Sequence, residues 1–232
     1  MKSYVINFIR HGMTQANING QYVGVTDIPV CEEGLNKLKQ LKNDCSYPKV
    51  EAYYSSPLKR CIQTCGEIYP EAEPIVIDGL KECDFGDWET KTPSELKDNA
   101  EYQAWIKSGR QLTPPNGESG EQFKKRLCNA VEKLIEDLMR NGITSSAVFA
   151  HGGVIMAILS LYGLPKLNPY ELIVANGCGY SVRVTPGLWM RDKVFEICEK
   201  IPLGHVEKIG GKFKNMIDEQ IDGENGKKEE NV

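Results

Sequence analysis

The stretch YVINFIRHG, residues 4–12, decides how this chain is read: apolar and aromatic residues, interrupted only by Asn7, run up to Arg10, His11 and Gly12 and stop. A short, nearly continuous apolar run closed by glycine predicts a strand buried on both faces. Similar runs occur at EAYYSS (51–56), PIVI (74–77) and SAVFAH (146–151). Between them lie helical patterns at 31–44, 57–69, 92–108, 120–142 and 152–163, most opening at a polar cap or proline and closing at glycine or asparagine. Strands alternating with longer helices predict an α/β sandwich. A late pair, GYSVRVT and KVFEICEK, reads as antiparallel strands joined by a turn at PGLWMRD (186–192).

The 232 residues and 26.0 kDa suit one domain over 1–207. From Lys208 the composition changes to glycines and interleaved charges, which predicts a polar, flexible tail over 208–232, with a short docking helix at Phe213–Ile221 as the alternative. A net charge of -4 gives no general attraction for nucleic acid or anionic membranes, so any anion site must be a local cluster of cations. No apolar run reaches the roughly 20 residues that span a bilayer, and YVINFI is too short for a signal peptide, so a cytoplasmic protein is expected. The eight cysteines lack paired metal-ligand spacing and read as reduced thiols, Cys61 and Cys65 among them as small buried residues.

Two of the three histidines share one context: His11 in NFIRHG and His151 in VFAHGG each end a predicted buried strand and precede glycine. In an open α/β sheet the carboxyl ends of neighbouring strands form the ligand crevice, so residues far apart in the chain can meet there. The glycines permit close backbone approach and leave amides for an anion. A third strand end, SSPLKRCIQT, delivers Arg60. Two guanidiniums beside two imidazoles repel one another unless they surround a multiply charged anion, and both arginines offer forks suited to phosphate oxygens. The same cations disfavour protonation of His11, which keeps the lone pair a nucleophile needs. A proton donor for a departing alkoxide is available in LKECDFGDWE: Glu82, with Asp84, Asp87 and Glu89 competing for the role.

Taken in order, RHGMTQAN, GQYVGVTDIPVCEEG, SSPLKRCIQT, LKECDFGDWE, PPNGES and FAHGGVI resemble the histidine phosphatase superfamily, in the branch that includes the cofactor-dependent phosphoglycerate mutases. The resemblance spans about residues 4–185. It implies a three-layer α/β/α sandwich with a mostly parallel central sheet and no metal or organic cofactor. By resemblance His11 is the nucleophile that becomes phosphohistidine, and Glu82 protonates the leaving group and then activates water. Arg10, Arg60 and His151 form the phosphate pocket, with Asn17 on the transferred phosphoryl group and Thr14 near it.

Met13 stands where the family often carries an acid, which implies a shifted substrate preference; Val25 follows Gly24 where mutases carry tryptophan, and the second half lacks their long insertion before the second histidine's strand, which favours hydrolysis over mutase chemistry. The implied activity is a metal-independent phosphomonoesterase acting on a small phosphorylated metabolite. α-Ribazole 5'-phosphate and sugar phosphates are the candidate substrates, the α-ribazole phosphatases and fructose-2,6-bisphosphatase-like members being the most similar in look. A phosphoglycerate mutase, a protein-directed phosphatase and a non-catalytic phospholigand sensor are the alternatives, and oligomeric state is left open. Specificity is assigned to NGQYVGVTD, to residues 98–119, and to Tyr180 or Trp189. Tyr102 and Trp105, three apart, either bury one helix face or stack on a substrate.

Overall fold

Strand β1 (Tyr4–Arg10) is central to a seven-stranded sheet. The computed structural model describes residues 2–109 and 111–205, and the expected tail at 208–232 lies outside them. The other strands are β2 (Ala52–Ser55), β3 (Ile75–Val76), β4 (Ser145–Ala150), β5 (Gly163–Leu164), β6 (Gly179–Val184) and β7 (Phe195–Ile201). Their order is β3-β2-β4-β1-β6-β7-β5. The β3/β2, β2/β4, β4/β1 and β5/β7 pairs are parallel, whereas β6 runs antiparallel to both β1 and β7. The sheet is therefore mostly parallel, as expected.

Among the described residues eight α-helices accompany it: α1 (Gln15–Ile18), α2 (Glu32–Asp44), α3 (Lys59–Ile68), α4 (Pro93–Leu96), α5 (Ala100–Lys107), α6 (Gly120–Asn141), α7 (Gly152–Tyr162) and α8 (Pro186–Asp192). Alternate strand residues face opposite layers. Ile6 and Phe8 of β1 with Val148 and Ala150 of β4 join the α6 and α7 side, packing with Leu127, Ile135, Ile155 and Ile158. Ile9, Ala147 and Phe149 join the other side with Leu38 of α2 and Cys61 and Cys65 of α3. Cys61 and Cys65 are fully buried core residues. Helix α6 follows directly from its sequence: a Ser119–Gln122 capping box opens it, apolar residues at 123, 127, 131, 134, 135 and 138 line one face, and Gly142 closes it at φ 68°.

Three sequence expectations need correction. The helix expected over 92–108 is two helices, because Asn99 accepts a hydrogen bond from Tyr102 N–H and starts α5 afresh after α4 ends at Leu96. The turn expected at PGLWMRD is the helix α8: Pro186 suits a first helical position, Trp189 is fully buried, and Lys193 at φ 51° ends it. PIVI supplies only the two-residue edge strand β3, exposed at both residues. Among the described residues, no helix is long and apolar enough to cross a membrane.

Candidate active site

The register of the two central parallel strands creates the site. Arg10 pairs with Ala150, so His11 and His151 leave β1 and β4 side by side, with ring centroids 5.2 Å apart and planes tilted by 58°. Ser55 of β2 pairs with Phe149, which brings Ser56 to the same end and directs α3, carrying Arg60, across the crevice. Arg10, His11, Arg60, Glu82 and His151 all converge here.

His11 is buried, and its Nδ1 lies 2.7 Å from Gly12 O. A carbonyl can only accept, so Nδ1 carries the hydrogen and Nε2 holds the lone pair. Burial, then Arg10, then Arg60 hold the imidazole well below its ordinary pKa of 6.5, against the opposing pull of the Gly12 carbonyl. Asn176 Nδ2–H anchors the backbone by donating to His11 O at 2.9 Å. His151 is depressed in the same direction by burial, His11, Arg60 and Arg10. Its Nδ1 accepts from Arg60 Nε–H at 3.2 Å, which leaves the hydrogen on Nε2, 2.8 Å from Ser56 Oγ. Both rings are thus neutral, with opposite tautomers.

Arg60 is buried, and its Nη1 and Nη2 donate to Thr26 O at 2.8 Å and Gly24 O at 2.7 Å. With Nε–H on His151, three of its five N–H groups are engaged and one on each Nη is left for an anion. Arg10 Nη1 donates to Val174 O at 2.7 Å, and its buried Nε has no hydrogen-bond partner among the described residues. Burial lowers both guanidinium pKa values below their ordinary range. Two buried, incompletely satisfied guanidiniums are a costly arrangement that a bound oxyanion relieves.

Glu82 is buried at the amino end of α7, where its Oε2 accepts from Gly153 N–H at 2.8 Å and its Oε1 from Cys83 N–H at 3.0 Å. Burial raises its pKa above 4.5, and the two amides, Arg60 and Arg10 oppose that rise without cancelling it. The competing acids are engaged elsewhere. Asp84 accepts from Gly86 N–H, Asp87 accepts from Asn116, and Glu89 accepts from backbone amides of residues 24–26.

Thr14 and Asn17 form the capping box of α1, at the edge of the site. Thr14 donates its amide and hydroxyl hydrogens to Asn17 Oδ1 at 3.0 and 3.1 Å and accepts from Asn17 N–H. Asn176 Nδ2 reaches the same Asn17 oxygen at 3.4 Å, so the Asn17 carboxamide is oriented with its oxygen inward to the loop. The Thr14 hydroxyl is engaged in this cap. The glycine amides expected to serve an anion are also taken in two cases: Gly12 N–H by Thr64 Oγ1 at 2.7 Å and Gly153 N–H by Glu82.

Several contributors escape sequence reasoning. Ser56 and Thr64 stand inside the quoted SSPLKRCIQT, but nothing in its pattern assigns their hydroxyls to His151 and Gly12. Arg126 on α6 pairs with Glu118 at 2.6 Å and donates to the carbonyls of Gly79, Lys81 and Glu82, fixing the backbone from which Glu82 projects. Tyr180 and Trp189, considered for specificity, are buried in the core on the α6 and α7 side of the sheet. Tyr102 and Trp105 are buried with Trp88 and Leu96 in a separate cluster against which Tyr22 and Phe85 pack.

The family model described as histidine phosphatase superfamily (branch 1) matches residues 6–196. The chain is 29% identical over 181 residues to the adenosylcobalamin/alpha-ribazole phosphatase of Escherichia coli strain K12, covering 76% of this chain and 88% of that one. It is 28% identical over 180 residues to phosphoserine phosphatase 1 of Hydrogenobacter thermophilus, covering 75% and 83%. The crystal structure of the alpha-ribazole phosphatase from Shigella flexneri superposes with a TM-score of 0.73 at 25% identity, covering 88% of this chain and all of the other.

Proposed function

This chain belongs to the histidine phosphatase superfamily (branch 1) and is a phosphatase acting on a small phosphorylated metabolite through a phosphohistidine; we propose that His11 is the residue phosphorylated and Glu82 the acid and base that serve it. The observation that carries the assignment is the His11 Nδ1–H bond to Gly12 O, which leaves a neutral ring with its lone pair on Nε2 among Arg10, Arg60 and His151.

In this reading the phosphate dianion binds the unengaged N–H groups of Arg10 and Arg60, and the Nε2–H of His151 turns from Ser56 to a phosphate oxygen. Asn17 contributes from the loop edge. His11 Nε2 attacks phosphorus in line as the bond to the leaving oxygen breaks. The positive charge that develops on the imidazole is shared with Gly12 O. Glu82, whose pKa burial raises, gives its proton to the departing alkoxide. Water then replaces the alcohol, Glu82 removes its proton, and attack on the phosphohistidine returns neutral His11 and inorganic phosphate.

The substrate reading is a phosphomonoester of a neutral alcohol, with α-ribazole 5'-phosphate the first candidate and sugar phosphates the second. Support comes from a groove of about 330 Å³ lined by Gln15, Gln21, Ile28, Pro29, Cys31 and Thr90, none of them charged, together with Ala16. The groove adjoins the catalytic loop, since Cys31 donates both its N–H and its Sγ–H to Met13 O. Two neutral amides and an apolar wall suit a hydroxylated or heterocyclic group better than a second anion. That all eight cysteines stand as thiols outside any disulfide supports a cytoplasmic setting.

The test is intact-protein mass after a rapid neutral quench with a generic phosphomonoester. A transient gain of one phosphoryl group in the wild type, lost in His11→Ala, is expected. Turnover with the adduct retained in His11→Ala overturns the assignment of the nucleophile.

A further inference from the structure

Glu89 lies in the segment that carries Glu82, yet its carboxylate turns away to a different strand of chain. Its Oε1 accepts from Gly24 N–H at 2.9 Å, Val25 N–H at 3.2 Å and Phe85 N–H at 3.0 Å. Its Oε2 accepts from Thr26 N–H at 3.2 Å and Thr26 Oγ1–H at 2.6 Å, with Gly24 N–H also at 3.1 Å. Three successive amides of residues 24–26 therefore point at one carboxylate, an arrangement that binds an anion strongly.

The other side of the same three-residue loop holds Arg60. Gly24 O and Thr26 O are the two carbonyls that accept from its Nη2 and Nη1. Glu89 grips the N–H side of the loop and Arg60 is gripped by the C=O side, so the guanidinium is placed by a carboxylate it does not touch. Gly24 is also pressed against the Glu82 segment: a Cβ there would sit 1.7 Å from Cys83 O. Through Phe85 N–H and this contact, one carboxylate ties the loop behind the arginine to the segment that carries the acid.

We propose that Glu89 is a positioning residue for phosphate recognition, holding residues 24–26 so that their carbonyls set the Arg60 fork. This rests on the reading of Arg60 as a phosphate ligand. A carboxylate is needed because five N–H and O–H donors converge on two oxygens, and an amide at that position would turn an NH2 group toward some of them.

Glu89→Gln, Thr26→Val and Arg60→Ala are compared for kcat, KM and inhibition by inorganic phosphate, all well below the unfolding transition, and separately for thermal unfolding. Glu89→Gln is expected to raise KM and weaken phosphate inhibition by about 10–100-fold, the range seen when outer partners of a binding group are removed, with a smaller change in kcat. Thr26→Val, which removes one donor and leaves the carboxylate, should move KM and phosphate inhibition the same way by less, and it decides the matter if Glu89→Gln does not fold. A lowered unfolding temperature with unchanged KM and phosphate inhibition in the folded variant overturns the proposal. If Arg60→Ala itself leaves phosphate inhibition unchanged, the phosphate-ligand reading fails and the positioning role with it. If Arg60→Ala weakens inhibition while Glu89→Gln and Thr26→Val do not, the positioning role alone is overturned.

Discussion

Arg60 donates its Nε–H to Nδ1 of His151 across 3.2 Å, and that bond exists only while Nδ1 is unprotonated. Protonating the ring would set two N–H groups against each other beside a second, buried histidine. Both His11 and His151 have folded-state pKa values well below 6.5. Between those depressed values and about 6.5 the unfolded chain binds more protons than the native one, so this contribution to stability is present above that window and is lost as pH falls through it. Thermal unfolding followed from pH 8 to pH 5 should show a temperature that declines below about pH 6.5, with a shallower decline in His151→Gln. A constant or rising unfolding temperature over that range in the wild type would contradict the neutral pairing.

Glu82 has the opposite sign. Its folded pKa is raised, so any stability linked to its protonated form is present below about 4.5 and lost as pH rises through the folded value. At neutral pH Glu82→Gln should therefore hold or raise the unfolding temperature while lowering kcat/KM toward alkyl phosphates by about 10²–10⁴-fold. Aryl phosphates, whose leaving groups need little protonation, should suffer less. The alkaline decline of the wild-type rate should vanish in the variant. Equal losses on alkyl and aryl substrates would argue that Glu82 is not the acid.

How much of this was legible in the sequence depends on whether the information is local. YVINFIRHG and SAVFAHGG could be read as buried strands ending in histidine, and the parallel β1/β4 register placed the two rings together as the crevice argument required. Arg60 followed from its strand-end context. Preferring Glu82 to Asp84, Asp87 and Glu89 rested on the family resemblance, because what sets its carboxylate apart is a contact with Gly153, some seventy residues later. Ser56, Thr64 and Arg126 act through hydroxyl and carbonyl contacts that leave no periodic trace. The break at Asn99 was missed for a local reason: an asparagine in a helical pattern can be tolerated or can start a new cap, and only the Tyr102 amide decides.

Gly153 illustrates how closely the Glu82 carboxylate is fitted to the backbone. A Cβ at this position would sit 2.6 Å from one Glu82 oxygen and 3.0 Å from the other, nearer than the carboxylate can tolerate without moving. Gly153 is the second residue of α7, where alanine is otherwise a favourable choice. Gly153→Ala should thus fold and bind inorganic phosphate while losing about 10²-fold in kcat, as expected for a catalytic group displaced by roughly 1 Å. Combining it with Glu82→Gln should add little, since both changes act on one group. Full additivity of the two losses would place the effect of Gly153 elsewhere.

The groove beside the catalytic loop makes a separate prediction about the alcohol. None of its seven lining residues is charged. A second phosphate or a carboxylate placed there would lose hydration without gaining a partner. Phosphomonoesters of neutral alcohols, α-ribazole 5'-phosphate first among them, should have lower KM values than phosphoserine, phosphoglycerate or fructose 2,6-bisphosphate. Gln21 donates to Thr90 O across the groove mouth. Gln21→Arg should accordingly improve KM for the doubly anionic substrates and leave kcat for neutral ones within a few-fold, because the substitution adds a cation without touching His11 or Glu82. If the wild type prefers a bisphosphate or phosphoserine, the alcohol does not occupy this groove, and the charge that selects it must come from another face of the site.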